Sequence, residues 1–475
     1  MNIPFVKYCT ATIMLSLWIG YGNAQSNSPI DTTAIRYVSI DNIFVIGNKR
    51  TKESIILREL IVKKGMQINY NDLLKHMASD QKNIYNTRLF NTVTINALDL
   101  SKSQVDVVVQ VDERWYTYPF PIFKIADRNF NDWLGNQGGD LSRVNYGGKF
   151  SQYNMRGRNE KLSISAQFGF TKNYSLSYRI PYIDRSQKNG LEFKVGYGER
   201  KSIAYSTIDH KLIFNASENI QFKEIFSLIT YTRRSLFYDF HRVVLEFNKS
   251  TISDSLLLLN SRYFSNGQNE QQYIALKYAY TKDKRDVAAY PLNGYRIQGE
   301  ISKIGLGLFN EIDILDIRLT YDRYFAIGKK FYLSIYSRGV ASSPNNQSYR
   351  LFPSLGRQRD FIRGYELYLI EGSRYALNKM SFKKELLKGV RPMNMFGVKQ
   401  FKTFPYALYL KTYFDVGYVN NFNEYEQSDR FTNKAIYGSG IGLDFVTLYD
   451  LVIRTEYSIN DAKEHGFYFH FSKGF

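Results

Sequence analysis

From about residue 140 to the end of the chain, apolar and polar side chains alternate with a period of two, the mark of strands whose two faces meet different surroundings. The segments "KLSISAQFGF", "YSLSYRIPYI", "LEFKVGYG", "YIALKYAY", "YRIQGEISKIG", "DILDIRLTYDRYF" and "FYLSIYSRGV" all carry it, and turn-like stretches such as "RSQKNG" and "SPNNQS" lie between them. About 335 residues at roughly 20 per strand plus connection predict about 16 strands. "SLLLLNSRYF" reads either as a strand or as a long loop, which leaves 16 or 17. A single-chain antiparallel sheet closed on itself has an even number, so 16 is expected.

Parity assigns the faces. In "ALYLKTYFDVGYV", Leu408, Leu410, Phe414, Val416 and Tyr418 share one side, and Tyr409, Lys411, Tyr413, Asp415 and Gly417 share the other. In "IYGSGIGLDFV", Tyr437, Ile441, Leu443 and Phe445 point one way, and Gly438, Gly440, Gly442 and Asp444 the opposite way. In "LVIRTEYS", Arg454 and Glu456 fall on the polar side. The last segment, "GFYFHFSKGF", puts Phe467, Phe469, Phe471 and Phe475 on the apolar side. A soluble sandwich has no use for so many outward aromatics, whereas a transmembrane barrel needs them against lipid. Leu410→Arg is then expected to harm assembly, and Lys411→Glu, which points into the lumen, to be milder.

Residues 38–113 follow another pattern. "VSIDNIFVIGN" alternates up to a Gly47-Asn48 turn and reads as a strand. "TKESIILREL" reads as a helix capped by Thr51, with Ile55, Ile56 and Leu60 on one side. "YNDLLKHMASDQKNIYNTRLF" continues the helical spacing through Leu73, Leu74, Met77 and Ile84, and "FNTVTINAL" and "SQVDVVVQVDE" are two more strands. The expected unit is a small α+β domain of order β-α-α-β-β. Residues 114–139, with Pro119 and Pro121, read as a stiff linker, and 140–475 as the barrel.

Composition narrows the class further. Residues 1–24 form a secretory leader: Lys7, an apolar stretch from Ala11 to Ile19, and a Gly22-Asn23-Ala24 cleavage site before Gln25. The lone Cys9 falls inside it, so neither disulfide nor thiolate chemistry is expected in the mature chain. After residue 24 no apolar run approaches the roughly 18–20 residues of a spanning helix. The formal charge of +19 points to an anionic membrane surface. Neither zinc-finger spacing nor a compact Lys/Arg tract is present, so nucleic acid is not an expected partner. The histidines at 76, 210, 241, 465 and 470 form no HExxH pattern, and there is no G-x-S-x-G elbow, so no catalytic residue, metal or cofactor is expected.

Two stretches carry a family resemblance. "VIGNKRTKESIILREL" with "QKNIYNTRLFNTVTI" resembles a polypeptide-transport-associated (POTRA) domain, of which one is read here. "FIRGYE" resembles the Val/Ile-Arg-Gly-Tyr/Phe motif of the BamA/TamA superfamily of outer-membrane assembly and translocation barrels, the bacterial surface antigen family, and "YFDVG" its acidic counterpart. The resemblance implies a mainly β fold, an antiparallel barrel of about 16 strands behind one β-α-α-β-β domain. It also implies that a loop carrying Arg363, Gly364 and Tyr365 folds into the lumen, where Asp415, followed by Gly417, receives the arginine. Asp444 and Glu456, inward by parity, are second-choice partners. The chemistry is sensible without the family, because a guanidinium in a poorly solvated lumen needs a carboxylate for its fork. The inward glycines at 438, 440 and 442 leave room for such a loop. The terminal aromatic strand through Phe475 resembles the sorting signal of outer-membrane barrels.

The function so implied is non-enzymatic help in inserting, assembling or translocating polypeptides at the bacterial outer membrane, with the POTRA domain in the periplasm. Expected partners are outer-membrane lipids, an unfolded client polypeptide added to a POTRA strand edge, and accessory periplasmic or outer-membrane proteins. A passive channel or surface-exposed structural barrel of the same architecture is the alternative.

Overall fold

The computed structural model describes residues 36–125, 140–264, 267–309, 312–356, 360–393, 403–421 and 430–472. The expected leader, residues 126–139 of the expected linker and the terminal Phe475 lie outside the described residues.

The small domain is built on a four-stranded sheet. Tyr37–Ile46 and Gln104–Glu113 run parallel at its centre, with Gln67–Asn69 and Phe90–Asp99 as the two edges. Val38, Ile40, Val105, Val107 and Val109 from the central strands share one core with Ile55 and Ile56 of the helix Glu53–Leu57 and Leu73, Met77 and Ile84 of the helix Tyr70–Asn86. The order is β-α-β-α-β-β; the added strand, Gln67–Asn69, is three residues long and too short to show a period of two. Thr51 does not cap the first helix, which starts after Lys52 without a side-chain cap. Its buried hydroxyl donates instead to Glu113 at 2.6 Å, tying the helix entry to the end of a central strand. Leu74 is 45 % exposed and belongs to the outer face of the longer helix.

Asp80, fully buried on that helix, accepts hydrogen bonds from the amides of Ile61 and Val62. Burial pushes its carboxyl up to about 6, against those two bonds. Its unfolded value is near ~3.9, so the folded domain binds more protons across that interval and this group's contribution to stability falls as pH rises from about 4 to about 6. Hydrogen-exchange protection of the helix Tyr70–Asn86, corrected for intrinsic rates, is expected to rise on acidification through that window and to rise less in Asp80→Asn.

Sixteen antiparallel strands form one sheet in chain order from Thr117–Ile125 to His465–Ser472, with the hairpin Ser202–Ile208/Lys211–Ala216 and the ladder Ser354–Leu355/Ile370–Glu371 standing outside it. Its first strand lies inside the stretch read as a linker: Thr117–Ile125 pairs along its length with Val144–Met155, so the sheet begins well before residue 140. Pro119 and Pro121 donate nothing to a ladder, which is tolerable on a strand with one unpaired side. Among the described residues no backbone pairing joins Thr117–Ile125 to His465–Ser472, so those prolines sit beside the seam. "SLLLLNSRYF" is neither strand nor plain loop. It opens with the short helix Asp254–Leu259, capped by the Ser253 hydroxyl, and buries Leu256, Tyr263 and Phe264 against Phe222 and Ile252 at the sheet's rim.

The outer surface is apolar around the sheet. Phe168, Phe193, Ile229, Leu276, Ile301, Leu319, Phe414, Ile441 and Phe469, from nine strands, are all exposed there. A contiguous apolar band of this kind is far beyond what a water-facing surface carries and matches the lipid-facing girdle of a membrane barrel. No helix among the described residues is long and apolar enough to cross a membrane.

The small domain is seated across one end of the barrel. Buried Arg114 pairs with Asp450 at 3.0 Å and donates to the Phe90 carbonyl at 2.8 Å. Glu59 accepts a fork from Arg234 at 2.8 and 3.0 Å, Arg58 donates to the Gln187 carbonyl, and Asn86 exchanges hydrogen bonds with Asp286 and Ala288. These partners come from three separate strand connections and from the end of the strand Phe222–Leu236, so the domain covers the mouth and does not hang from one point.

Candidate functional site

The connection between Phe331–Ser343 and Arg374–Pro392 is the site's frame. It leaves the end of the barrel remote from the small domain and turns back inside. There Leu355, Ile362, Tyr365, Tyr368 and Ile370 form a core with wall residues Val340, Leu377, Val419 and Ile436. A two-residue ladder, Ser354–Leu355 with Ile370–Glu371, closes the base of the loop.

At its tip Arg363 meets Asp415. Nε donates to Oδ2 at 2.8 Å, Nη2 to Oδ1 at 2.5 Å, and the Arg363 backbone N–H to Oδ2 at 3.1 Å. The remaining guanidinium donors go to Ser381 Oγ at 3.1 Å and the Met380 carbonyl at 3.3 Å, and the group lies 3.8 Å above the Tyr413 ring. Asp415 is fully buried and Arg363 is 7 % exposed, so the pair is sealed from bulk water. Gly364 follows with φ +94°, a left-handed conformation that a side chain resists, and this reverses the chain at the tip. Its amide donates to Glu366 and its carbonyl accepts from Asn460. Tyr365 is buried, its hydroxyl donating to Asp461 while Phe431 packs edge-on against its ring.

The inward glycines make the fit possible. A Cβ at Gly438 would lie 1.9 Å from the Arg363 carbonyl oxygen, and one at Gly417 would lie 2.3 Å from Ile362 Cδ1. The Gly438 contact is with backbone and cannot be relieved by a rotamer. Gly438→Ala is therefore expected to displace the loop tip and lengthen the Arg363–Asp415 contact, whereas Gly417→Ala meets the side chains of Ile362 and Leu355, which can turn aside. Proteolytic sensitivity of the loop in the two variants is the readout.

The two second-choice partners take different parts. Glu456 lies 3.5 Å from Arg363 Nη1 and 2.7 Å from Lys411 Nζ. Asp444 pairs with Lys411 and, at 3.7 Å, with Arg454, and accepts from the Tyr290 hydroxyl at 2.8 Å. Lys411, Asp444 and Glu456 are all nearly fully buried. Lys411 thus joins two carboxylates, so Lys411→Glu is expected to be severe where parity alone predicts a mild effect: parity gives the side a residue faces, not what it touches there. Its only sequence signal was inward parity on the strand that carries Asp415. Glu366, Glu456 and His470 offer ligand atoms within 4.8 Å of one another, a group the histidine pattern did not reveal. Arg363 and Lys411 already occupy Glu456, and a divalent ion would have to compete with both. Of the terminal aromatics, Phe467 and Phe469 stand outward, 75 % and 67 % exposed.

The molecule is thus a sixteen-stranded antiparallel barrel with a small α+β domain before it and an arginine-anchored loop in its lumen. Residues 154–475 match the Omp85 superfamily domain, and residues 38–114 match the POTRA family of surface antigen variable number repeats. The chain belongs to the Omp85 superfamily. Among solved structures it is similar to BamA from Haemophilus ducreyi lacking POTRA domains 1–3, with 13% identity over 91% of this chain and 84% of that one and a TM-score of 0.50. It is also similar to CdiB from Acinetobacter baumannii, with 12% identity over 92% of this chain and 74% of that one and a TM-score of 0.48. For CdiB from Escherichia coli the figures are 10%, 94%, 92% and 0.48. At these identities the likeness to BamA speaks for the fold. No curated protein sequence matches the chain.

Proposed function

We propose that this protein resides in the bacterial outer membrane with its POTRA domain in the periplasm, and helps insert, assemble or translocate polypeptides there without covalent chemistry. The observation that carries the reading is the loop tip held inside the barrel by Arg363 and Asp415, in a sheet whose first and last strands show no pairing with each other among the described residues. A passive pore has no need of an unpaired seam flanked by prolines. The seam gives a client strand a place to pair, while the locked loop holds the lumen's shape beside it. The client's first contact is the outer edge of Phe90–Asp99, an edge strand of the POTRA sheet with an open ladder for an extended segment. Lipids of the outer membrane face the apolar band, and accessory periplasmic or outer-membrane proteins have the rest of the POTRA surface.

The test uses the purified full-length protein in liposomes, to which a urea-unfolded outer-membrane barrel from the same bacterium is added. Faster appearance of the heat-resistant folded form than in empty liposomes is expected. Ion conductance with no acceleration would instead make the protein a channel.

A further inference from the structure

Between the small domain and the barrel wall lies a chamber of about 880 Å³, within the range of sites that enclose a sizeable ligand. Residues 58–59 and 83–89 of the small domain form its floor, and inward side chains of successive strands form its wall. Ten Lys and Arg side chains line it against four carboxylates. Five of the ten, Arg88, Lys161, Arg179, Lys188 and Lys194, have no carboxylate within 4.0 Å among the described residues. Lys161 and Arg179 stand directly opposite one another on adjacent strands, which places like charges side by side. Glu192, opposite Arg179 on the next strand, is the nearest carboxylate by register and forms no ion pair with either.

Arg88 lines the chamber from the side of the small domain. It follows the helix Tyr70–Asn86 at the position where a chain usually places glycine or asparagine, and it holds φ +62°. Its effect is to carry a guanidinium from the small domain to the chamber that Lys161 and Arg179 line from the wall.

We infer that this chamber is a binding site for an acidic peptide segment, held between the POTRA domain and the barrel wall. The ligand's nature rests on the reading proposed above, and the site deepens it by giving clients a charge signature. Cations without a carboxylate partner in a walled space focus their field on an incoming anion, and Arg88 and Arg179 can each take a carboxylate in a fork. The volume is many times that of a single small anion, and the cations are spread over three strands and the domain floor, an arrangement for a charged segment and not a point charge.

Fluorescence anisotropy on the full-length protein in neutral detergent tests this with a labelled ten-residue Glu/Asp-rich peptide. Peptides of equal length rich in Ser/Gly or in Lys are the controls. Saturable binding of the acidic peptide alone, weakened by added salt, is expected. The triple variant Arg88→Gln, Lys161→Gln, Arg179→Gln should weaken it at least tenfold while keeping the heat-resistant barrel on gels. Should that variant not fold, a photo-crosslinking residue at Thr230, a neutral chamber position, is expected to capture the acidic peptide in the otherwise native protein. Equal binding of acidic and neutral peptides, or unchanged binding in the triple variant, would overturn the site. So would full displacement by millimolar inorganic phosphate, which means a small-anion site, or by dispersed phosphatidylglycerol, which means a lipid site. Acidic-peptide binding without accelerated insertion would sink only the function proposed above, and accelerated insertion without acidic preference would sink only this chamber.

Discussion

Arg363→Ala and Asp415→Ala are each expected to free the lumen loop and to lower the temperature at which the folded barrel loses its compact form on gels. The Asp415 carboxylate accepts the Arg363 backbone N–H and two guanidinium donors in a buried site. Removing either partner leaves the other's charge without its main counter-ion where water cannot replace it, a loss of about 3–5 kcal/mol. The two act as one unit, so the double variant should be scarcely worse than either single one. Arg363→Lys keeps the charge but cannot fork across both carboxylate oxygens while also serving Ser381, and should fall between wild type and Arg363→Ala. Strict additivity in the double-mutant cycle would contradict the pairing.

The second large effect is at Lys411. Lys411→Glu brings a third carboxylate against Asp444 and Glu456, removes the cation that joins them, and leaves Arg454 and Arg363 at longer range. It is expected to harm assembly at least as much as Leu410→Arg, which costs about 2–4 kcal/mol at the lipid face near the midplane. Lys411→Met should be less severe than Lys411→Glu, since it removes the cation without adding an anion. The folded fraction recovered in the membrane, compared across the three variants, decides it. A mild Lys411→Glu would mean that the cluster does not form.

What the sequence makes legible is whatever repeats. The period of two that runs from residue 140 yields fifteen of the sixteen strands and their faces, because lipid and lumen each act on every second residue. The helix Tyr70–Asn86 is readable for the same reason at a longer period, though Leu74 sits just beyond the buried stripe. Short or irregular features are hidden. Gln67–Asn69 is three residues long, and Pro119 and Pro121 mask Thr117–Ile125 as a strand because the rule against proline in a ladder fails at an open edge. At the site, the juxtaposition of Arg363 with Asp415 was suggested by a motif and by parity. The joining role of Lys411 depends on the register of three consecutive strands, which sets it level with Gly442 and Glu456, and Tyr290 reaches Asp444 from the connection between Glu270–Asp283 and Gly294–Ile304, where no period marks it. The small domain's seat on the barrel through Arg114 and Glu59 has no local signal at all, since both read as ordinary surface charges.

The most direct measurement is quantitative proteomics of the outer membrane after depletion of this protein, with complementation by wild type or by Arg363→Ala. The account predicts that a defined set of outer-membrane or surface proteins falls, that wild type restores it, and that Arg363→Ala present at equal level restores little. An unchanged outer-membrane proteome after depletion, or full restoration by Arg363→Ala, would contradict it.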